Sequence, residues 1–467
     1  MTAAAKFDVL VIGGGPGGTP AALALAQAGR RVMLVEAGRG LGGTCLFEGC
    51  IPSKIFRDVA ARRRATARAA DFGLRGRGTG AFEIDWRAVQ ARRHRIISAR
   101  AEGALQRARR LPSLEVAFGR ARLTGPLTAT IDAPDARREV NFEHAILATG
   151  SVPSRLPIPG ANLPGVLTSE TLIDIETIPE SLALIGGGPI GIEMAQIFAS
   201  LGSQVTVLEV APRILLPVDE ILAGRLKRRL EADCIAVHTG VEVTSIEDRP
   251  QQRRVCYKLG NEVRQVDAAV VAIVAGREPN IAGLGLENTA VRRDRHGVKV
   301  DALLQTDATG IYATGDLVGH PMFAHWATAQ ALAVATHLLG RPAAYPRPET
   351  NSAVIFSFPE VGMAGLTEAA ARAAGLDVAV AEYDYRGDAR AQISGDADGL
   401  LRIVYQKTDR RIVGVHALIE GAADLMGEAA VAIASRLTLP QLANTIHPHP
   451  TLSEAFVGAA RDALAHA

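Results

Sequence analysis

Two stretches of this chain, Gly13-Gly-Gly15-Pro-Gly-Gly18 and Gly186-Gly-Gly188-Pro-Ile-Gly191, repeat one spacing of glycines, G-x-G-x-x-G. Each follows a short apolar run (7–12 and 182–185), opens a stretch with helical periodicity (21–28 and 193–201) and leads to a second apolar run (31–35 and 204–208). In such a unit the first glycine permits a tight turn, the second lets a phosphate approach the backbone, and the third brings helix and strand together. The free N–H groups of the helix start then face the anion. An acid stands 23 positions after the first glycine both times, Glu36 and Glu209, at the end of the second run where a ribose hydroxyl is bound. Two βαβ units of one design make this an α/β chain with two Rossmann-like dinucleotide-binding domains. Gly13, Gly15, Gly18 and Glu36 serve one dinucleotide; Gly186, Gly188, Gly191 and Glu209 serve the other. Glu209 repels a 2′-phosphate, so the second unit is expected to take NAD rather than NADP, with Arg213 close by as the opposing charge.

The rest of the chain fits around these units. Its 467 residues allow about three domains. Hydrophobic residues at 48% and charged residues at 21% exclude a disordered chain, and 4 Cys exclude a disulfide-built scaffold. No apolar run approaches the roughly 20 residues of a membrane-crossing helix. The N-terminal residues run almost directly into the first strand without a signal-peptide pattern, so a cytoplasmic location is expected. Residues 54–110 read as long Arg- and Ala-rich helices interrupted by a glycine-rich loop at 73–80, and 114–140 as short strands; 142–149 and 268–275 read as buried strands ending at Gly150 and Gly276. Proline-rich stretches at 152–164 and 341–348 mark boundaries. Beyond the second come strands at 353–356, 400–405 and 412–417 and helices at 366–374 and 421–437. The expected divisions are 1–150, 151–276, 277–345 and 346–467.

Net charge is +2, yet residues 55–125 hold 17 basic and 6 acidic side chains. The chain has 45 Arg and 6 Lys, a bias of composition, and aromatics to stack bases are few there, among them Phe72, Phe82, Trp86 and Phe118. A solvated helical face is therefore expected, not a nucleic-acid site.

Cys45 and Cys50 lie five positions apart in Gly42-Gly43-Thr44-Cys45-Leu-Phe47-Glu48-Gly49-Cys50-Ile-Pro-Ser-Lys54. In a regular helix that separation is roughly 8.6 Å between Cα atoms. A disulfide needs about 4.4–6.8 Å, so bridging requires a distorted turn, which Gly49 can supply. So short a ring adds little stability, and cytosolic disulfides are usually catalytic; the pair reads as a redox couple. Cys234 and Cys256 read as buried free thiols. The second specific run is His447-Pro-His449-Pro450-Thr-Leu-Ser-Glu454. Pro450 biases His449 away from helix. Its imidazole suits a base working near neutral pH, with Glu454 holding one tautomer.

The first glycine unit, the cysteine stretch and this C-terminal run together resemble the class I pyridine nucleotide–disulfide oxidoreductases over residues 6–463, nearest to members that oxidise dihydrolipoyl groups. The resemblance implies FAD in the first unit, NAD in the second, and a homodimer formed through a C-terminal α+β dimerisation domain, with His449 and Glu454 acting in the active site of the other subunit. It makes Cys45 the distal cysteine that exchanges with the substrate disulfide and Cys50 the proximal one, whose thiolate lies against the flavin. Lys54 and Glu193 match a buried ion pair beside the flavin. Gly43, Thr44, Gly119, Ala148-Thr149-Gly150, Asp316 and the stretch Met322-Phe-Ala324-His325 match further FAD segments, and Val243 and Gly276 match the NAD domain. No metal ligand is expected.

The implied reaction is ping-pong oxidation of dihydrolipoyl groups on a lipoyl carrier protein, through the Cys45–Cys50 disulfide and FAD, to NAD⁺. A glutathione-type reductase of another small disulfide is the alternative; basic residues for NADPH would be expected where Glu209 stands. One departure bears on substrate: Phe47 and Glu48 stand where the dihydrolipoyl-oxidising members have Asn-Val, placing an acid between the cysteines that is expected to alter thiolate stability.

Overall fold

The parallel pairing that both glycine units require organises two of the sheets in the computed structural model, which describes residues 5–75 and 83–466. Ala5–Ile12, with Leu10 and Val11 fully buried, pairs in parallel with Val32–Glu36 on one side and Arg137–Leu147 on the other. Burial on both faces explains why this strand is a continuous apolar run rather than an alternating one. Leu114–Phe118 extends one edge in parallel, while Thr128–Asp132 and Arg120–Gly125 extend the other edge antiparallel. Ile311–Ala313, from far later in the chain, also pairs in parallel with Arg137–Leu147. The chain thus leaves the first unit, builds the second, and returns to complete the first.

The second sheet is parallel throughout, in the order Ala236–Thr239, Gln204–Glu209, Ser181–Ile185, Val270–Ile273, Val166–Thr168. An antiparallel meander, Val241–Arg249, Gln252–Leu259 and Glu262–Ala268, packs against it through Val255, Tyr257 and Ala268. The buried strand expected over 268–275 is shorter, because Ala268 still belongs to the meander. The C-terminal sheet is antiparallel, in the order Ser352–Ile355, Val361–Gly365, Ile412–Leu418, Leu400–Gln406, Val378–Asp384. The helices Ala422–Ala434 and Glu454–Ala465 cover it, with Met426, Phe456 and Tyr385 in its core.

The long basic helices are Cys50–Ala67 and Trp86–Arg109. Gly73 closes the turn after the first at φ +74°; the rest of the expected glycine loop, 76–80, and Phe82 lie outside the described residues. The basic face is less solvated than expected, because several arginines join distant segments. Arg57 meets Glu360 at 3.1 Å and Glu420 at 2.6 Å, Arg64 meets Asp233 at 3.0 Å, and Arg68 meets Asp396 at 2.6 Å. Arg93 is buried and bonds Asp174 and the Ile173 carbonyl. Cys234 corrects another expectation. It is exposed, following the helix Glu220–Ala232 at φ +60°, a left-handed position where the chain leaves a helix. Cys256 is half-buried.

Candidate active site

The glycines of the two units divide by task. At Gly13, φ is +111° and a Cβ would lie 2.2 Å from the Ala148 carbonyl; at Gly18 it would lie 1.9 Å from the Gly13 carbonyl. Gly186 at φ +126° and Gly191, whose Cβ would sit 1.9 Å from the Gly186 carbonyl, repeat this. The middle glycines are open. A Cβ on Gly188 would meet nothing within 4 Å, and one on Gly15 only Gly43 Cα at 3.6 Å. Beside these open positions start the helices Thr19–Gln27 and Pro189–Leu201, with no side-chain cap on either, which leaves N–H groups for an anion. Both units therefore fit a dinucleotide pyrophosphate.

The two acids behave alike. Glu36 accepts hydrogen bonds from the N–H of Gly14 at 2.6 Å and Gly38 at 2.5 Å, and Glu209 from Gly187 at 2.5 Å and Ala211 at 2.7 Å. Gly119 donates its N–H to the Glu36 carbonyl at 2.9 Å, and a Cβ there would lie 2.6 Å from the Asp132 carbonyl. Val243 lies in the meander against the second sheet. Arg213 is engaged on its own loop, donating to the carbonyls of Ile214, Leu215 and Leu216, the last at 2.6 Å. It leaves Glu209 as the charge beside the second cradle.

The cysteines sit on either side of a break between two helices. Gly43–Phe47, which carries Thr44 and Cys45, ends at Glu48; Gly49 turns at φ −137°, ψ −103°; and Cys50 begins Cys50–Ala67. Gly43 packs against Gly15, so the cysteine turn adjoins the first cradle: a Cβ on Gly43 would lie 2.8 Å from Gly15 Cα. Both cysteines are thiols here, hydrogen-bonded to each other. That bond, with burial, pushes Cys45 up, while it brings Cys50 down to about 7 against its burial, with the Lys54 ammonium helping. The pair is thereby polarised, with Cys50 the more acidic thiol.

Lys54 Nζ lies 2.8 Å from Glu193 Oε2 and 4.5 Å from the centre of the Phe356 ring. The other Glu193 oxygen accepts the Phe356 N–H at 2.9 Å. Glu193 is only 9% exposed, so a full set of partners is what makes its charge tolerable. One ion pair thus joins the cysteine helix to the helix of the second glycine unit and to the C-terminal domain. Glu48 points elsewhere: its carboxylate is 3.4 Å from Arg39, which also covers the Phe47 ring at 5.5 Å. Burial and nearby Glu170 hold the Glu48 carboxyl above the usual range. The charges that act most on Cys50 are those of Lys54 and Glu193.

Ala148 donates to the Ile12 carbonyl at 2.8 Å, Thr149 Oγ1 to the Asn280 carbonyl at 2.7 Å, and Asn280 N–H to the Gly150 carbonyl at 2.9 Å. Gly276, at φ +99°, precedes Arg277–Pro279, which pairs antiparallel with Ser151–Pro153. The sequence marks Gly276 but not what Arg277 does. It donates to Ser151 Oγ at 2.7 Å and to Glu170 at 2.7 Å, and Ser151 Oγ donates to Asp316 at 2.6 Å. Asp316 is thereby held at the turn after Ile311–Ala313. From that turn Thr314 Oγ1 donates to the Gly17 carbonyl at 2.8 Å, closing the segment onto the first glycine loop. Met322 is half-buried, and Ala324 begins the helix Ala324–Leu338, whose Thr328 reaches the Pro16 carbonyl at 3.3 Å. His325 stacks on Phe323 and donates to the Ser352 carbonyl at 2.7 Å.

At the other end of the chain the two histidines differ. His447 is buried, 2.8 Å from Glu428, with its ring parallel to Phe456. His449 is 73% exposed, with Nδ1 3.0 Å from Glu454 Oε1. Thr451 N–H donates to the other Glu454 oxygen at 2.9 Å, and together with His449 it holds that carboxyl below the usual range. Among the described residues His449 has no hydrogen bond to either cysteine, and its Nδ1 is taken by Glu454.

Against known proteins, the model of the pyridine nucleotide–disulphide oxidoreductases matches residues 7–331, and that of their dimerisation domain matches residues 351–460. The chain is 34% identical over 463 residues to a dihydrolipoyl dehydrogenase of Geobacillus stearothermophilus, covering 99% of this chain and 97% of that protein. It is 34% identical over 459 residues to one of Thermus scotoductus, covering 97% and 96%. Among solved structures it is similar to LpdA of Mycobacterium tuberculosis (TM-score 0.89, 25% identity, 98% and 99% of the two chains). It is also similar to the HOCl-induced flavoprotein disulfide reductase RclA of Escherichia coli as a Cu(II) complex (TM-score 0.87, 26% identity, 98% and 99%). The polarised cysteine pair, two dinucleotide cradles and matched domains place the chain in the pyridine nucleotide–disulphide oxidoreductase family, as a flavoprotein with FAD and NAD as cofactors and a C-terminal dimerisation domain.

Proposed function

We propose that the protein oxidises dihydrolipoyl groups on a lipoyl carrier protein to the lipoyl disulfide and reduces NAD⁺. The observation that carries this reading is the placement of the cysteine pair: Cys45 and Cys50 flank the break at Gly49, Gly43 packs their turn against Gly15 of the first cradle, and Lys54, one helical turn beyond Cys50, lowers Cys50 and makes it the better leaving thiolate. In the oxidised enzyme a dihydrolipoyl thiolate attacks Cys45 Sγ, the Cys45–Cys50 bond breaks, and Cys50 departs as thiolate. The second lipoyl sulfur then attacks the mixed disulfide, releasing lipoyl disulfide and the Cys45 thiol. His449, held by Glu454 across the dimer, takes the proton of the attacking thiol. Lys54 with Glu193 holds positive charge beside Cys50, and Asp316, fixed through Ser151 and Arg277, orients the FAD side. When bound, FAD supplies the two-electron transfer between Cys50 and NAD⁺. Residues 1–150 and 277–345 form the FAD part of the molecule, 151–276 the NAD part and 346–467 the dimerisation part.

The names of the dihydrolipoyl dehydrogenases that the chain resembles support this substrate, and Glu209, with Arg213 engaged elsewhere, supports NAD. A second reading, a reductase of another small disulfide, is favoured by Phe47 and Glu48, which fill the turn between the cysteines and bring Arg39 with them. Steady-state assays of dihydrolipoamide with NAD⁺ against glutathione disulfide with NADPH separate the two. The proposal predicts turnover only with the first pair, and its loss by at least about 1,000-fold in Cys45→Ser with flavin content unchanged. Turnover only with another disulfide would overturn it.

A further inference from the structure

Away from both dinucleotide cradles, the helix Glu220–Ala232 meets the C-terminal domain across a cleft of about 350 Å³, lined by Arg225, Arg228, Arg229, Ala232, Arg386 and Asp398. That volume is at the lower end for small-ligand sites. We propose that this cleft binds a diphosphate group, held by the four guanidinium groups from both walls.

Arg225, Arg228 and Arg229 are three and four residues apart and so share one helix face. Arg386 comes from the opposite wall, on the turn Tyr385–Gly387. Carboxylates are too few for them. Asp384 serves both Arg386, at 2.7 Å, and Arg225, at 3.6 Å. Asp233 serves Arg64 at 3.0 Å and lies 3.3 Å from Arg229 Nε. That Nε is nonetheless buried with no hydrogen-bond partner. Arg228 has no carboxylate within ion-pair distance among the described residues, and Asp398 is the one acid in the lining. Positive potential is thus concentrated in a concave site, which favours anions. Guanidinium forks match phosphoryl oxygens two at a time, and a diphosphate offers enough acceptors to engage both walls where a single carboxylate does not. At one end of the cleft's helix, Asp219 caps the first turn and is ion-paired with Arg402 of the C-terminal sheet, so the two walls are tied together without a ligand.

The test is calorimetric titration of FAD-loaded, NAD⁺-saturated enzyme with pyrophosphate and with ADP at constant ionic strength. Saturable binding at one site per chain is expected, weakened at least tenfold in Arg228→Gln/Arg386→Gln, with flavin content and the KM for NAD⁺ unchanged. Equal affinity for the two probes identifies the free diphosphate as the ligand; tighter ADP binding identifies a nucleoside diphosphate. If the double variant does not fold, Arg228→Gln alone, which removes no ion pair, must still lower affinity severalfold. Absence of saturable binding, or binding indifferent to these substitutions, overturns the proposal.

Discussion

At Cys50 a single side chain shows how much local chemistry the fold adds to a thiol. Its descent to about 7 comes first from the Cys45 hydrogen bond, then from Lys54, with burial opposing. Because the depressed group is charged above its pKa, the thiolate fraction rises through pH 7 instead of through pH 9. Alkylation of Cys50 in the reduced enzyme, followed by peptide mass spectrometry from pH 5 to 10, is expected to climb about tenfold per pH unit and level off above about pH 7. A midpoint near 9 would show that the Cys45 bond and Lys54 have no net effect. The five-residue spacing and Gly49 made the distorted turn legible in the sequence. The direction of the polarity came from the family resemblance and not from the spacing, because it depends on a hydrogen bond and on a lysine brought round by the next helical turn. The orientation of Glu48 was not legible for the same reason: spacing placed an acid between the sulfurs, but only the fold turns it onto Arg39.

Elements are held in relation to one another mainly by contacts between residues far apart in the chain. Lys54 and Glu193 are 139 positions apart and join two helices, one of which carries the cysteine. Glu193→Gln leaves the Lys54 charge without its carboxylate. Since Lys54 remains 32% exposed, the expected loss is about 1–3 kcal/mol, below the range for a fully buried pair. It should appear as a lower thermal midpoint together with a lower Cys50 midpoint, because the Glu193 carboxylate that raises Cys50 is gone while the Lys54 charge that lowers it remains. An unchanged alkylation profile would make the pair purely structural. Both βαβ units were legible to within a few residues, since glycine geometry and buried apolar runs are local signals. The meander Val241–Ala268 was not picked out, because its strands, half-buried in the first two and largely exposed in the last, lack a strong apolar pattern. The inter-segment arginine pairs were invisible too: Arg57 meets Glu420 across 363 positions. Cys234 failed as a buried thiol because residue type does not reveal a left-handed helix exit.

For the molecule as a whole, the C-terminal domain carries dimerisation, and in the proposed mechanism it also presents His449 to the other subunit. Ile446 and Val431, large, apolar and exposed on the isolated chain, lie in this domain. Mixed dimers test the arrangement directly. Cys45→Ser and His449→Ala homodimers should each be inactive, His449→Ala by about 100- to 10,000-fold. A hybrid of the two should regain about half the wild-type rate, because one of its two sites then has both an intact cysteine pair and an intact histidine. No recovery in isolated hybrids would place His449 in its own chain's site. The central claim is that Cys45 and Cys50 form the redox couple through which electron pairs enter and leave. Its most direct test is to alkylate the anaerobic, FAD-loaded enzyme before and after one equivalent of NADH and to count modified cysteines by peptide mass. The account predicts that two further thiols become alkylated on reduction and that they map to Cys45 and Cys50; no new thiols, or thiols mapping to Cys234 and Cys256, would contradict it.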